Sequence, residues 1–109
     1  MKFLPTMVVL CGLMAGSIAH AQVDADAAKS LLKKSGCMKC HAIDKKKEGP
    51  PYQEVAKKYK GKADAQEKLF THVTTGPKIK IDGKEEEHTI IKSKDKAEIT
   101  NAIQWILSL

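Results

Sequence analysis

Apolar residues fall along this chain first in one unbroken run and then in short stripes at helical spacing. The run, Met7 to Ala15, follows Lys2 and leads into Ser17-Ile18-Ala19-His20-Ala21. A positive start, a short apolar stretch and small residues at Ala19 and Ala21 mark a cleaved secretory signal, so residues 1–21 are expected to be removed and Gln22 to begin the mature chain. The run is too short for a spanning helix, and no later stretch is expected to cross a membrane. Beyond it the stripes predict four helices. The first starts at Asp24 or Asp26, whose carboxylate can cap free amides, carries Ala27, Ala28, Leu31 and Leu32 on one face, and stops at Gly36. A loop follows to Gly49-Pro50-Pro51, which cannot be helix interior. Tyr52, Val55, Ala56 and Tyr59 mark a short second helix ended by Gly61. Asp64 can cap a third, carrying Leu69, Phe70 and Val73 and ended by Gly76-Pro77. Residues 78–92 read as irregular, with a brief strand allowed where Ile79 and Ile81 alternate with lysines. The last helix runs from Ser93 or Lys94 to Leu107 and buries Ile99, Ala102, Ile103, Ile106 and Leu107. The expected fold class is therefore all-α, four helices with little or no sheet. The long loop ahead of the last helix is of a length that usually serves function.

Removal of the signal leaves 109 − 21 = 88 residues, one domain spanning 22–109. That is near the size at which a staple helps a small core. Lysines exceed acids by 19 − 13 = 6, with no arginine, and by 5 once Lys2 is gone. Export argues against nucleic acid as the partner of such a basic chain. What remains is a solvated lysine surface or electrostatic steering towards an acidic partner. Cys11 lies within the expected signal, and Leu10 stands where lipoprotein processing wants a small residue, so Cys11 is expected to be discarded. Only Cys37 and Cys40 then remain.

Those two cysteines belong to Cys37-Met38-Lys39-Cys40-His41, a C-x-x-C-H run that reads as a covalent attachment site for a c-type haem. Two thiols three residues apart can each add to a vinyl group, and the adjacent histidine can lie under the ring and bind iron. A covalently held haem would also be the staple a domain of this size needs. A bare cysteine pair in an oxidising compartment would instead form a disulfide, but His41 favours haem.

With this run, Gly49-Pro50-Pro51-Tyr52, Val55-Ala56-Lys57-Lys58-Tyr59, Val73 to Gly76 and the final Trp105-Ile106-Leu107, the chain resembles a small bacterial class I cytochrome c from about Ala27 to Leu109. The resemblance implies thioether bonds at Cys37 and Cys40 and proximal iron ligation by His41. It implies that the second ring nitrogen of His41 donates to the Pro50 carbonyl, fixing the tautomer. It also implies that the first and last helices cross with Leu32 against Ile103 and Ile106, and that Tyr52 and Trp105 form core and haem wall.

The chain departs from that family at the far face of the haem, where most members place a methionine from the long loop. The methionines here are Met1, Met7, Met14 and Met38. Three leave with the signal, and Met38, between the cysteines, cannot reach the far face. His88, in Glu85-Glu86-Glu87-His88-Thr89-Ile90-Ile91, stands within about a residue of the family's methionine when counted back from Trp105, and is the expected sixth ligand. His72, on the third helix at a position that tends to face water, is the rival. Lys78, Lys80, Lys84 and Lys92 would first have to lose a proton, and Asn101 is badly placed. The tryptophan with which the family commonly holds a propionate is missing near Gly83. Imidazole in place of thioether favours ferric iron and lowers the potential. Protonation of His88 is expected to displace it in acid.

These features point to a periplasmic one-electron carrier, not an enzyme, monomeric or weakly oligomeric. Lys33, Lys34, Lys39 and Lys45 would orient a redox partner protein with an acidic docking face. A haem protein with an open or displaceable sixth site, acting as a ligand sensor, a small redox enzyme or a subunit of one, is the competing class. A zinc or disulfide protein built on Cys37, Cys40, His41 and His88 is the third.

Overall fold

The computed structural model describes residues 22–109; the expected signal segment, with Cys11 and His20, lies outside the described residues. The order of elements is α1 (Ala25–Lys34), a single 3-10 turn (Cys37–Lys39), α2 (Tyr52–Tyr59), α3 (Ala65–Thr75), strands β1 (Lys78–Ile81) and β2 (Lys84–Glu87), and α4 (Lys96–Leu107).

Helix α1 begins where an aspartate can satisfy free amides: Asp24 Oδ1 accepts from the Ala27 N–H at 3.0 Å. It ends where Gly36 takes a left-handed conformation, φ 77°. Ala28, Leu31 and Leu32 are buried, while Ala27, expected on the same face, is exposed because the stripe is narrower than four residues. Helix α4 starts later than Ser93 or Lys94. Asp95 Oδ1 accepts from the Ala97 N–H at 2.9 Å, and Ser93 Oγ accepts from the Asp95 N–H at 3.1 Å, so Ser93 stays ahead of the first turn. Asp64 stands at the start of α3 without capping it, because its carboxylate pairs with Lys68 Nζ at 3.1 Å instead.

The core forms where α1 crosses α4. Leu31 and Leu32 pack with Ile99, Ala102, Ile103 and Ile106, and Ala28 and Ala102, fully buried, supply the small side chains of the contact. Each buried Leu or Ile there contributes about 1.5–3 kcal/mol. A two-way clasp fixes the crossing, the Asp24 N–H donating to Asn101 Oδ1 at 2.9 Å and Asn101 Nδ2 donating to the Asp24 carbonyl at 2.8 Å. Asn101 is thus a structural residue.

Residues 78–87 form an antiparallel hairpin in place of a lone strand. Lys78 pairs with Glu87 and Lys80 with Glu85, opposite charges facing each other across the ladder. Asp82 and Gly83 connect the strands with φ 50° and 78°, the positive pair a two-residue type I′ turn needs. Ile79 and Ile81 are half-buried; all of β2 is exposed, so no apolar alternation announces it.

Candidate functional site

One turn of backbone gathers the C-x-x-C-H side chains. The Cys37 carbonyl accepts from the Cys40 N–H at 3.2 Å and from the His41 N–H at 3.0 Å, closing the 3-10 turn between them. Cys37 and Cys40 are not joined to each other in a disulfide. Burial pushes the Cys37 thiol up, and the Tyr52 hydroxyl that bears on it works in the opposite direction. The Cys40 thiol is also pushed up, by burial first and then by Glu48, whose Oε2 it meets at 3.4 Å.

The loop after the turn is pinned to it. The Gly49 N–H donates to the Cys40 carbonyl at 2.7 Å, and the Tyr52 and Gln53 amides reach the carbonyls of Ala42 and Ile43 at 2.9 and 3.0 Å. Lys47 Nζ donates to the Met38 carbonyl at 2.7 Å, a tie that its place in a lysine run does not announce. The loop delivers Pro50 to His41, whose Nδ1 lies 2.7 Å from the Pro50 carbonyl. A carbonyl only accepts, so Nδ1 carries the proton and Nε2 keeps its lone pair. Tyr52 stacks on the His41 ring, centres 4.9 Å apart at 17°. It also meets Trp105 edge-on at 6.2 Å. Gly49 runs so close to His41 that a Cβ there would stand 2.6 Å from Cε1.

His88 follows β2 and is held by the end of α3 and the Gly76-Pro77 step after it. Its N–H donates to the Pro77 carbonyl at 2.8 Å, and the Ile91 N–H donates to the Val73 carbonyl at 2.9 Å. Gly76, with φ 60°, passes beneath the segment: a Cβ there would stand 2.9 Å from the His88 carbonyl oxygen. Downstream, buried Ser35 accepts from the Lys92 N–H at 2.8 Å and ties the loop to the end of α1. The His88 ring is half-buried and its centre lies 6.2 Å from that of His41, with the planes tilted 54°. His72 does not face water as expected. It is half-buried, with its ring centre 4.2 Å from that of His88, because α3 turns this face towards the His88 segment. Burial holds both rings below the ordinary histidine range, with His41 and Lys58 adding to the effect on His72, and His72 adding to it on His88. Lys78, Lys80, Lys84 and Lys92 are all exposed.

The spacing of His41 and His88 fits one metal atom between them. Imidazole nitrogens bind a first-row metal at about 2.0–2.1 Å. A five-membered ring with sides near ~1.33 Å places each nitrogen about 1.1 Å from its centre. Two rings on opposite sides of one metal therefore have centres roughly 6.3 Å apart, against the 6.2 Å found here. Met38, Ile43, Val55, Leu69, Phe70 and Val73 pack on the core with their outer faces half-exposed, which is the apolar wall a flat aromatic group would cover. His88 Nδ1 is buried and has no hydrogen-bond partner within the chain. The donor set, two thiols on one turn and two imidazoles with centres 6.2 Å apart, fits a covalently held haem. A metal site made of three or more clustered His, Cys, Asp or Glu side chains does not occur among the described residues.

A profile of the family described as Cytochrome c matches residues 25–109. Cytochrome c-552 of Hydrogenobacter thermophilus is 36% identical over 111 aligned residues, covering 99% of this chain and 97% of that protein. Cytochrome c2 of Rhodocyclus tenuis is 39% identical over 83, covering 73% and 89%. Among solved structures, the Class 1 cytochrome MtoD from Sideroxydans lithotrophicus ES-1 superposes with a TM-score of 0.77 at 55% identity, covering 80% of this chain and 97% of that one. Cytochrome c552 of Nitrosomonas europaea gives 0.61 at 27%, covering 74% and 98%.

Proposed function

The chain belongs to the cytochrome c family, and from that premise we propose a periplasmic one-electron carrier whose haem iron is held between His41 and His88, at a potential below that of methionine-ligated relatives. As a member of that family the protein transfers electrons rather than catalysing a substrate reaction, and its cofactor is one covalent haem c. When bound, that group supplies a single iron couple that gains or loses one electron.

The chain's own residues set how that couple is used. Cys37 and Cys40 are the thioether donors. His41 presents Nε2 to iron because the Pro50 carbonyl occupies Nδ1–H, and the same hydrogen bond raises the basicity of the ring. The single observation that carries the sixth-ligand assignment is the placement of His88 one metal's span from His41. It is supported by the sequence, in which the one methionine of residues 22–109 is Met38, between the cysteines. Imidazole on both faces leaves no coordination position for a substrate, which suits electron transfer through an exposed edge. Imidazole also stabilises ferric over ferrous iron relative to thioether, hence the lowered potential. Glu85, Glu86 and Glu87 act in the same direction but weakly, being exposed and screened. Lys33, Lys34, Lys39 and Lys45, exposed around the attachment turn, orient an acidic partner at encounter. The signal-like segment 1–21 supports export to the periplasm.

Carbon monoxide tests the proposal. Binding to the reduced protein is expected to be slow and limited by release of His88. Fast binding proportional to gas concentration would mean an open sixth site and a ligand-binding haem protein instead.

A further inference from the structure

Ile90, two residues beyond His88, is 53% exposed, the most exposed large apolar side chain among the described residues. One such residue alone is ordinary. Here it forms the lip of a groove of about 640 Å³ between the C-terminal half of α3 and the first turn of α4, lined by Phe70, Thr74, Ile91 and Ile99. None of Cys37, Cys40, His41 and His88 lines it, so it lies apart from the residues that hold the haem. The lip is fixed in place. Gly76 passes beneath Ile90, where a Cβ would stand 3.1 Å from Ile90 Cγ1. The Ile91 and Lys92 amides are bonded to the Val73 carbonyl and to Ser35 Oγ. An apolar anchor held in this way loses little freedom when a partner covers it. Lys92 and Lys94 line the groove, and Lys96 lines the hollow that adjoins it across Phe70. All three are exposed and form no ion pair among the described residues. The acids nearest in sequence are engaged elsewhere. Asp95 Oδ1 accepts from the Ala97 N–H at 2.9 Å, and Glu98 Oε2 accepts from the Ser93 hydroxyl at 2.7 Å. Lys96 is also the first residue of α4, where the helix dipole disfavours a cation. No bond among the described residues uses these three charges, and an apolar centre rimmed by charge of one sign is the anatomy of a recognition surface.

We propose that this groove is a docking site for an acidic protein partner, which sets one large apolar side chain between Phe70 and Ile90 and its carboxylates on Lys92, Lys94 and Lys96. The proposal rests on the electron-carrier reading and adds to it an apolar anchor and three further lysines. The groove is open to solvent, a shape that takes a side chain from another surface rather than enclosing a small molecule. The three lysines complement carboxylates and repel a basic surface, which selects the partner by charge. Ile90 is joined to His88 through Thr89 alone, so a partner seated here meets the chain close to the sixth ligand of that reading.

The test uses the haem-loaded, reduced, 15N-labelled protein and, as probe, the acidic peptide Asp-Glu-Leu-Phe-Asp-Glu. Titration at low salt should move the amide signals of Phe70, Thr74 and Ile90 to Lys96 above all others, and the affinity should fall as salt rises. Ile90→Ser removes the anchor at an exposed position and should weaken binding about tenfold. Lys92→Glu with Lys94→Glu should weaken it at least as much. Lys45→Glu with Lys46→Glu makes the same change of charge in the loop after the attachment turn and should weaken it far less. Equal losses from the two charge reversals would mean general attraction between opposite charges and overturn the proposal. So would an Ile90→Ser affinity equal to wild type, signals that move at lysines all over the surface, or signals that do not move at all. Where a variant fails to fold, the wild-type map of moved signals decides. Failure of the underlying reading is distinguishable, because fast carbon monoxide binding would remove the carrier reading and leave this map unchanged.

Discussion

Replacing Gly49 by alanine perturbs the proximal ligand without touching it chemically. The added Cβ would stand 2.6 Å from Cε1, 2.9 Å from Nδ1 and 3.0 Å from Nε2 of His41, where carbon contacts settle at about 3.5–4.0 Å. The ring has to withdraw by about 0.9 Å. It has little freedom, being hydrogen-bonded to Pro50 at 2.7 Å and stacked on Tyr52. A retreat of that size along the bond carries the contact to about 3.6 Å, past the limit of a side-chain hydrogen bond. Gly49 is not among the positive-φ glycines, so the effect comes from the ring contact and not from backbone strain. Overpacking of this kind costs about 1–3 kcal/mol of stability. Loss of the carbonyl partner weakens His41 as a donor to ferric iron, and each tenfold loss of ferric preference raises the potential by about 59 mV. Film voltammetry and thermal melting on the haem-loaded variant measure the two. An alanine variant with native potential and native melting would refute the claim that Gly49 sets the position of His41.

Three further outcomes follow from the same structure. Ser35→Ala leaves the Lys92 amide without its acceptor. It should cost about 1–3 kcal/mol in chemical denaturation and hasten His88 release in the carbon monoxide assay; an unchanged unfolding midpoint would contradict it. Burial holds His72 and His88 below the ordinary value, near 6.5, so the unfolded chain binds more protons as pH falls through about that point. Stability is therefore full above about pH 6.5, declines below it, and stops declining once pH is below both folded values. Iron on His88 lowers its proton affinity further, so low-spin iron should become high-spin only at more acid pH than the loss of stability; urea unfolding at pH 7 and pH 5 and absorption spectra followed downward from pH 5 check both, and an unfolding midpoint that does not fall between pH 7 and pH 5 contradicts the burial argument. Electron transfer with an acidic partner should slow as salt rises from 0.01 to 0.15 M, roughly the range over which the screening length falls from ~30 to ~8 Å, and indifference to salt would remove the steering role of the lysines.

The helices were legible because each carries its own punctuation. Asp24 and Gly36 bracket α1, Gly76 closes α3, and the apolar spacing of Ile99, Ala102, Ile103 and Ile106 names the buried face of α4. The hairpin was half-legible. Asp82-Gly83 is a strong turn signal, but the partner strand Lys84–Glu87 is entirely charged and exposed, so its pairing with β1 leaves no hydrophobic trace. At the site, the C-x-x-C-H run and the candidacy of His88 rest on residue type and spacing. The contact between His72 and His88 could not, since it depends on how the C-terminal end of α3 meets a loop sixteen residues further on. Ser35 and Lys47 were missed for a related reason: one bonds a distant amide and the other a nearby carbonyl, and neither bond follows a periodic pattern.

The central claim, His88 as sixth ligand, is tested most directly by electron paramagnetic resonance of the ferric wild type beside His88→Ala. A low-spin wild type and a high-spin variant are predicted. A low-spin signal that survives the substitution, or a wild type already high-spin, would contradict the account.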